Sequence, residues 1–333
     1  GHSVTVYCRE AGPPAWNGIR RIELPSVGHK YLETVSHSLF SAVDALRRDF
    51  DAVLVCNAAN AFVLPLLRAA RIPVAINVDG IERRRRKWNF LGRVVYAAGE
   101  ALSVSFASRI VADADVIASY YRENYGADCE TIRYGAEFPD EPDSDILARL
   151  GVESGRYVLY VSRIEPENNP LEVVEAYRRL LDRRGEERTP PLVMVGQGLY
   201  APDLVRRLRE HEGSRILLPG AIYGRDYRTL QRRALVYIQA TEVGGTHPAL
   251  IEAMASGGAV LAHGTPENRE VGGDSVGYFQ LRPAETLSES LETWLDDAVL
   301  REDFRARARR LAADRYSWET VTDAYERLFS TLV

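Results

Sequence analysis

The chain has 333 residues, enough for two domains that each bury a hydrophobic core. Its hydrophobic share of 46% and charged share of 27% are typical of a folded, water-soluble protein. The formal net charge of −5 argues against a dedicated nucleic-acid-binding protein, so we expect no nucleic-acid partner.

The three cysteines, Cys8, Cys56 and Cys129, are widely spaced and do not match a metal-binding pattern. Cys8 and Cys56 fall in apparent core strands, which favours reduced structural thiols and a cytoplasmic protein. No apolar run approaches the length of a membrane span, and the first residues do not resemble a signal peptide.

Strands alternate with helices through the first half of the chain. The strand-like runs are SVTVYC, IRRIELP, DAVLVCN, PVAINVD and SRIVADA. A helix is predicted over about residues 31–48, where apolar residues recur at helical spacing. This alternation predicts a parallel sheet with ligands at the carboxyl ends of its strands.

Three aspartates follow the ends of these strands. Asp79, in NVDG, is equally suited to a turn and to a ligand contact. Asp113 and Asp115 are better explained as the cap and first turn of the helix DVIASYYRENYG than as a metal site. We therefore predict no metal and no cofactor.

A basic run, Arg83 to Lys87, leads into Trp88, Phe90 and a long amphipathic helix. Such a run is usually a solvated helix face. The adjacent aromatic residues also suit contact with an anionic membrane surface, so both interpretations of Arg83 to Phe90 stay open.

The second half repeats the alternation. An acidic, proline-rich segment, residues 136–145, has the composition of an interdomain linker. The strand-like runs YVLYVSR, PLVMVGQG, RILLPGA and LVYIQAT follow, with helices between them. Two further helices are predicted at the end, over Thr286 to Arg315 and over SWETVTDAYERLFSTLV.

The stretch ATEVGGTHPALIEAMASGGAVLAHG, residues 240–264, predicts a strand end, a glycine turn, a helix and the next strand. Gly244 and Gly245 permit close approach of a ligand, and Thr246 or His247 can cap the helix. The free N–H groups at its N-terminus suit an anion, usually phosphate. Glu252, one turn further in, can accept hydrogen bonds from sugar hydroxyls.

This stretch resembles the nucleotide-sugar motif of retaining glycosyltransferases with the GT-B fold (family 4), most closely the bacterial rhamnosyltransferase branch that uses dTDP-rhamnose. The resemblance places Glu252 on the nucleotide ribose as the second glutamate of an E-x7-E motif. The first glutamate falls on Gly244, which leaves open how the donor's sugar hydroxyls are held.

The resemblance also implies roles for residues outside the glycine turn. Arg163, in VSRIEPENNP, matches an arginine that binds the donor diphosphate, whereas the lysine of the same motif falls on Asn168. Asp79 lines the interdomain cleft, and Glu270, in TPENREVGG, is a further candidate for a donor contact. His247 is equally suited to capping and to contact with phosphate or sugar.

The resemblance implies an α/β protein of two Rossmann-like, doubly wound domains that face each other across a cleft. The acceptor domain is expected over 1–140 and the nucleotide-sugar domain over 150–315. A C-terminal helix over 316–333 is expected to cross back to the first domain, anchored by Trp318, Tyr325 and Phe329. The run VTVYCR matches the family's second strand, so the sheet should be interrupted where the first strand would lie.

The implied reaction transfers a sugar, L-rhamnose in this branch, from a dTDP- or UDP-sugar to a glycan or lipid-linked acceptor with retention. The protein would be cytoplasmic, or peripheral on the inner face of the plasma membrane. A sugar-nucleotide 2-epimerase, which shares the fold and the phosphate-binding site, is one alternative. A non-catalytic remnant that binds nucleotide sugars is a further alternative. A periplasmic sugar-binding protein is disfavoured by the first residues of the chain.

Overall fold

The computed structural model of the chain describes residues 1–28, 32–85, 88–137 and 141–333. The strands are β1 (Thr5–Cys8), β2 (Ala15–Trp16), β3 (Ile19–Glu23), β4 (Val53–Cys56), β5 (Val74–Asn77), β6 (Arg109–Ala112), β7 (Glu130–Thr131), β8 (Val158–Val161), β9 (Leu192–Val195), β10 (Ile216–Gly220), β11 (Val236–Gln239), β12 (Val260–His263) and β13 (Gly277–Phe279).

The α-helices are α1 (Glu33–Ala45), α2 (Leu64–Ala69), α3 (Phe90–Phe106), α4 (Asp115–Tyr125), α5 (Ile146–Leu150), α6 (Pro170–Arg184), α7 (Pro202–Arg209), α8 (Gly224–Arg233), α9 (Pro248–Ala255), α10 (Pro266–Gly272), α11 (Glu285–Asp296), α12 (Ala298–Arg315) and α13 (Trp318–Ser330). The predicted alternation of strands and helices is confirmed. The single helix expected over Thr286 to Arg315 is wrong, because α12 begins anew with Asp297 as its N-cap, whose side chain accepts from the Leu300 N–H.

The second half contains a six-stranded parallel sheet in the order β10-β9-β8-β11-β12-β13. This is the order of a doubly wound sheet, in which the first three strands are added toward one edge and the next three toward the other. The two directions part between β8 and β11. The strands are buried on both faces by two large apolar clusters. A ligand site is therefore expected where β8 and β11 end side by side.

The first half contains two separate sheets. One has the order β1-β3-β2, in which β2 and β3 form a hairpin closed by Asn17 and Gly18, both with positive φ. The other is the parallel sheet β4-β5-β6-β7. Among the described residues β1 and β4 share no ladder, so the expected interruption of the sheet is observed.

Residues near this interruption are more exposed than core strands usually allow. Val4 and Val6 of the first sheet and Leu54 of the second keep exposed side chains. Cys56 is also exposed, so the prediction that it lies in the core is wrong, whereas Cys8 is half-buried. Tyr7 connects the two sheets by packing on Phe50 and donating to Asp44 of α1.

Helix α13 returns to the first half at the end of the chain. Val321 and Leu328 bury themselves against Ala75, Val111 and Ile132. Tyr325, on the same helix, accepts a hydrogen bond of 2.9 Å from the side-chain amide of Asn77. The first half therefore receives apolar and polar contacts from the last helix of the chain.

The chain passes between the halves at two neighbouring points. The Ala136 N–H donates to the Tyr316 carbonyl at 2.7 Å, and Ala136 pairs with Ser317 in a parallel bridge. The side chain of Trp318, in turn, lies against Gly135. Part of the predicted linker, residues 138–140, lies outside the described residues. Further along the linker, Glu141 forms an ion pair with Arg228 of α8.

Candidate active site

The glycine turn lies against the first half of the protein. A Cβ atom added at Gly80 would lie 2.8 Å from the Gly244 carbonyl carbon and 2.9 Å from the Gly245 nitrogen. One added at Gly245 would lie 2.0 Å from Oδ1 of Asp113. Side chains at these positions would separate the two halves, so the glycines are needed for close approach between segments of the protein itself.

Asp113 connects the first half to this turn. Its Oδ2 accepts from the Thr246 N–H at 2.9 Å, and its carbonyl accepts from the Thr246 hydroxyl. The prediction that Asp113 caps α4 is wrong: Ala114 occupies the N-cap position, and Asp115 lies in the first turn as expected. The carboxylate of Asp113 is used for a contact between the halves.

The Asp113 carboxyl is fully buried, with 0% of the residue exposed. Burial, followed by the charge of nearby Asp79, raises its pKa to about 7. Asp79 itself follows β5 with a φ of 58°, donates its N–H to Asn77 Oδ1 and accepts weakly from Asn57 at 3.4 Å. The two aspartates therefore belong to one electrostatic environment beside the glycine turn.

His247 is the N-cap residue of α9, but its side chain makes no capping hydrogen bond. Its Nδ1 lies 2.9 Å from Oδ1 of Asn268, whose amide nitrogen donates to the Thr241 and His263 carbonyls. The Asn268 oxygen therefore faces the imidazole, and Nδ1 must carry the proton.

Burial lowers the pKa of His247, although the hydrogen bond with Asn268 opposes the shift. A neutral imidazole protonated at Nδ1 leaves Nε2 as an acceptor. This atom has no hydrogen-bond partner among the described residues, and it lies beside Gly244. His247 Nε2 is therefore suited to accept a hydrogen bond from a hydroxyl group of a ligand.

Glu252 lies one turn into α9 and faces α8. Its Oε2 accepts from the Tyr227 hydroxyl at 2.5 Å, and that hydroxyl accepts from Gln231 at 2.7 Å. Burial raises the pKa of the Glu252 carboxyl, while the hydrogen bond from Tyr227 opposes the shift. The carboxylate is thus oriented by its neighbours and has a second oxygen for a ligand.

Arg163 and Asn168 follow β8, next to the end of β11. The Arg163 side chain is 62% exposed, and its closest carboxylate is Glu165, at 3.9 Å. Asn168 is buried and donates its amide to the Arg163 carbonyl at 2.6 Å. Asn168 therefore shapes the loop that presents Arg163, and its predicted ligand contact stays a prediction.

Glu270 lies on α10, and its carboxylate binds the first half. One oxygen accepts from the Asp115 N–H at 2.6 Å and the other from the Val116 N–H at 2.8 Å, at the N-terminus of α4. Arg133 donates to the same carboxylate at 3.0 Å and to Asp115 at 2.6 Å. The observed partner of Glu270 is a helix N-terminus, where a carboxylate is favoured, and the predicted donor contact stays untested.

Only part of the basic run is solvated where the structure describes it, because Arg84 is exposed and Arg85 is buried. Arg85 is buried, with Nε 2.5 Å from Glu82 and Nη1 3.5 Å from Glu167 and 3.8 Å from Glu165. Burial opposes its charge, but these carboxylates prevail and raise the pKa of Arg85. Arg83 pairs with Glu100, and Arg84 lies over the ring of Tyr120; Arg86 and Lys87 lie outside the described residues.

Sequence patterns missed this cluster because its members come from both halves. Glu82 and Arg85 belong to the first half, and Glu165 and Glu167 follow β8 in the second. A run of arginines in a sequence carries no information on which carboxylates it will meet. The available signal was the pair Glu165 and Glu167 directly after a predicted buried strand, since charged residues are rarely buried without a partner.

Neither a metal site nor a membrane-spanning helix is found in the part of the chain that the structure describes. Its acidic, histidine and cysteine side chains form no group of three that could hold a metal ion. Within 1–28, 32–85, 88–137 and 141–333, no helix is both long and apolar enough to cross a membrane.

Protonation of Asp113 should make the stability of the protein depend on pH. Its folded pKa of about 7 lies above the ordinary 3.8, so between these values only the folded protein holds the proton. Stability from this group is complete below about pH 4 and is lost as the pH rises through 7. We expect the free energy of unfolding of the wild type to fall, relative to Asp113→Asn, by up to about 1.4 kcal/mol per pH unit.

Urea denaturation of both proteins at about pH 5, 6, 7 and 8 measures this difference. The asparagine keeps an oxygen for the Thr246 N–H, so the variant should remain folded. Parallel pH profiles for the two proteins would show that Asp113 does not titrate in this range.

Family models and solved structures agree on the type of protein. The model of "Glycosyl transferases group 1" matches residues 145–311, half of the chain, and that of "Glycosyl transferase 4-like domain" matches residues 1–135. Alpha-monoglucosyldiacylglycerol synthase of Streptococcus pneumoniae is 29% identical over 132 residues, which are 39% of this chain and 29% of that protein.

Three solved structures are similar over most of their length. Sucrose-phosphate synthase of Thermosynechococcus elongatus has a TM-score of 0.81 at 16% identity and covers 98% of this chain and 89% of its own. A glycosyltransferase of Rickettsia africae has a TM-score of 0.77 at 16% identity, with 99% and 90% covered. HepE of Anabaena, in complex with UDP-glucose, has a TM-score of 0.77 at 17% identity, with 94% and 86% covered.

These similarities confirm the predicted architecture of two Rossmann-like domains. The chain belongs to the glycosyl transferases group 1 family and has the GT-B fold.

Proposed function

We propose that the protein transfers a sugar from a nucleoside diphosphate donor to an acceptor hydroxyl, with retention at the anomeric carbon. The observation that carries this proposal is that Arg163 follows β8 and the glycine turn follows β11, and that these two strands are parallel neighbours. This is the switch point of a doubly wound sheet, where such folds bind nucleotides. Family membership supports the same chemistry.

The donor diphosphate would lie between Arg163 and the N-terminus of α9. Negative charge grows on the leaving diphosphate as the bond to the sugar breaks, and fixed N–H groups and a guanidinium stabilise it. The Thr246 N–H already binds Asp113, so Arg163 carries a larger part of this task. Glu252, oriented by Tyr227, would accept a hydrogen bond from a pentose hydroxyl of the nucleotide, which in a dTDP donor is the 3′ hydroxyl.

The donor we propose is dTDP-L-rhamnose, on the sequence resemblance to the rhamnosyltransferase branch, with UDP-sugars as the alternative. HepE of Anabaena was solved with UDP and with UDP-glucose. Epimerisation and simple binding of a nucleotide sugar would use the same donor-binding site, so they remain the alternatives to sugar transfer. They are separated from transfer by the products formed.

The acceptor we propose is a glycan or a lipid-linked precursor of a polysaccharide, reached from a membrane surface. The first turns of α3 carry an apolar face that no other segment covers in the described structure: Phe90 is 83% exposed and Leu91 69% exposed, with Val94 and Val95 alongside. The Streptococcus pneumoniae relative is named for a glucosylated diacylglycerol. We propose that α3 docks at the inner face of the plasma membrane.

Sugar transfer itself is tested by product analysis. Incubation with dTDP-L-rhamnose or a UDP-sugar and a membrane fraction should release nucleoside diphosphate and form a glycoside. Proton NMR of the product should show the anomeric configuration of the donor. An epimerised nucleotide sugar formed without acceptor would favour the epimerase, and binding without any product would favour the non-catalytic alternative.

Replacement of Glu252 and Arg163 should affect different parts of the nucleotide. Glu252→Ala should weaken binding of UDP and of uridine alike, by about 1.5–3 kcal/mol, because a charged hydrogen bond to ribose is lost. Arg163→Ala should weaken UDP binding by a similar amount and leave uridine binding unchanged, because its contact is to phosphate. Calorimetric titration measures both.

Each variant serves as the control for the other, and Tyr227→Phe isolates the hydrogen bond that orients Glu252. Unchanged UDP affinity in Glu252→Ala, with an unchanged melting temperature, would exclude the ribose role. Equal losses for UDP and uridine in Arg163→Ala would exclude the phosphate role.

Docking at a membrane should depend on the apolar face of α3. Co-sedimentation with phosphatidylglycerol vesicles should be lost when Phe90, Leu91 and Val94 are replaced together by serine, since each buried side chain is worth about 1.5–3 kcal/mol. Val299, 81% exposed at the start of α12, offers the matched control.

Val299→Ser should bind vesicles as well as the wild type. Binding that falls with salt and requires anionic lipid would add a role for basic residues near α3. A wild type that ignores these vesicles, or a triple variant that binds them equally well, would contradict docking through α3.

A further inference from the structure

The Asp113 carboxylate has one oxygen that the protein does not use. Oδ2 accepts from the Thr246 N–H, but Oδ1 has no hydrogen-bond partner among the described residues. The residue is fully buried between the two halves. A buried carboxylate oxygen without a donor is unfavourable, so its position calls for a group that supplies one.

The unused oxygen points at the glycine turn. It lies 2.0 Å from the position that a Cβ atom of Gly245 would take, so the absence of a side chain there makes room for the carboxylate. The neighbouring residue is Gly244, where the sequence lacks the first glutamate of the E-x7-E pattern. A carboxylate from the first half therefore stands next to the place where the second half lacks one.

The chemistry of the unused oxygen selects the part of the ligand that it can bind. A diphosphate presents acceptors and negative charge, which the ionised form of the Asp113 carboxyl repels. A sugar presents hydroxyl donors. Nε2 of the neutral His247, on the other side of the turn, is an acceptor as well, so both unpaired atoms at this point match hydroxyl groups.

We propose that Asp113 binds a hydroxyl group of the donor sugar beside the glycine turn, where the motif lacks its first glutamate. The site of the transferred sugar is then assembled from both halves, with Asp113 from the first and the glycine turn from the second. This inference rests on the proposed function, because it assumes a nucleoside diphosphate sugar as ligand.

The test compares each nucleotide sugar with its own nucleoside diphosphate by calorimetric titration. The probes are UDP-glucose and UDP-galactose against UDP, and dTDP-rhamnose against dTDP. In the wild type at least one sugar nucleotide should bind about tenfold tighter than its diphosphate. In Asp113→Asn this ratio should fall to about two or less, while the diphosphate alone binds within about twofold of the wild type.

Arg133→Gln is the matched control, since it removes a contact between the halves that lies at α4 and Glu270 instead of the turn. It should leave the ratio of the two affinities unchanged. Asp113→Glu, which keeps the charge but displaces the carboxylate, should also lower the ratio and provides a second variant if the asparagine form does not fold.

The outcomes separate this inference from the proposed function. If the diphosphates bind but Asp113→Asn keeps the wild-type ratio, or weakens the binding of both ligands equally, the role of Asp113 is overturned. The proposed function is not affected by that result. A wild type in which no probe binds tighter than its diphosphate would also overturn it. Failure to bind any diphosphate would overturn the proposed function, and this inference with it.

Discussion

The contact between the two halves at the glycine turn is the constraint on which the site depends. Gly80 meets Gly244 and Gly245 backbone to backbone, and Asp113 holds the Thr246 N–H from the opposite side. A methyl group at Gly80 or Gly245 would push the halves apart. The same contact joins the segments after β5 and β6 to the glycine turn after β11, which lies more than 100 positions further along the chain.

The charged side chains around this contact contribute more to the relative orientation of the two halves than to the stability of the fold. Arg85 faces three carboxylates, and the removal of four charged groups from water costs more than one guanidinium returns through attraction. The arrangement also fixes orientation, because Arg85 of the first half can pair with Glu165 and Glu167 of the second half only when the halves meet in one way. Glu270 adds a second such condition by binding the N-terminus of α4.

Local patterns were sufficient to predict most strands and helices and the glycine turn, because these depend on residues that are near each other in sequence. The fold family followed from the resemblance of the motifs. The partners of charged side chains were not predictable in the same way. Arg83 to Arg85 formed a plausible solvated or lipid-facing run, yet their neighbours Glu100, Tyr120 and Glu167 are supplied by distant segments. Asp113 was assigned to a helix cap because its true partner, Thr246, lies 133 positions away. The interruption between β1 and β4 was predictable, since it follows from the order of strands alone.

The paired crossing of the chain has a mechanical consequence. The segments at Ala136 and Ser317 run side by side and are hydrogen-bonded to each other, and Trp318 then lies against Gly135. A single connecting segment would allow one half to rotate in any direction relative to the other. Two connections that are hydrogen-bonded to each other restrict this rotation, so we expect any relative motion of the halves to follow one axis. Motion about one axis would return Asp113 to the same position against the glycine turn.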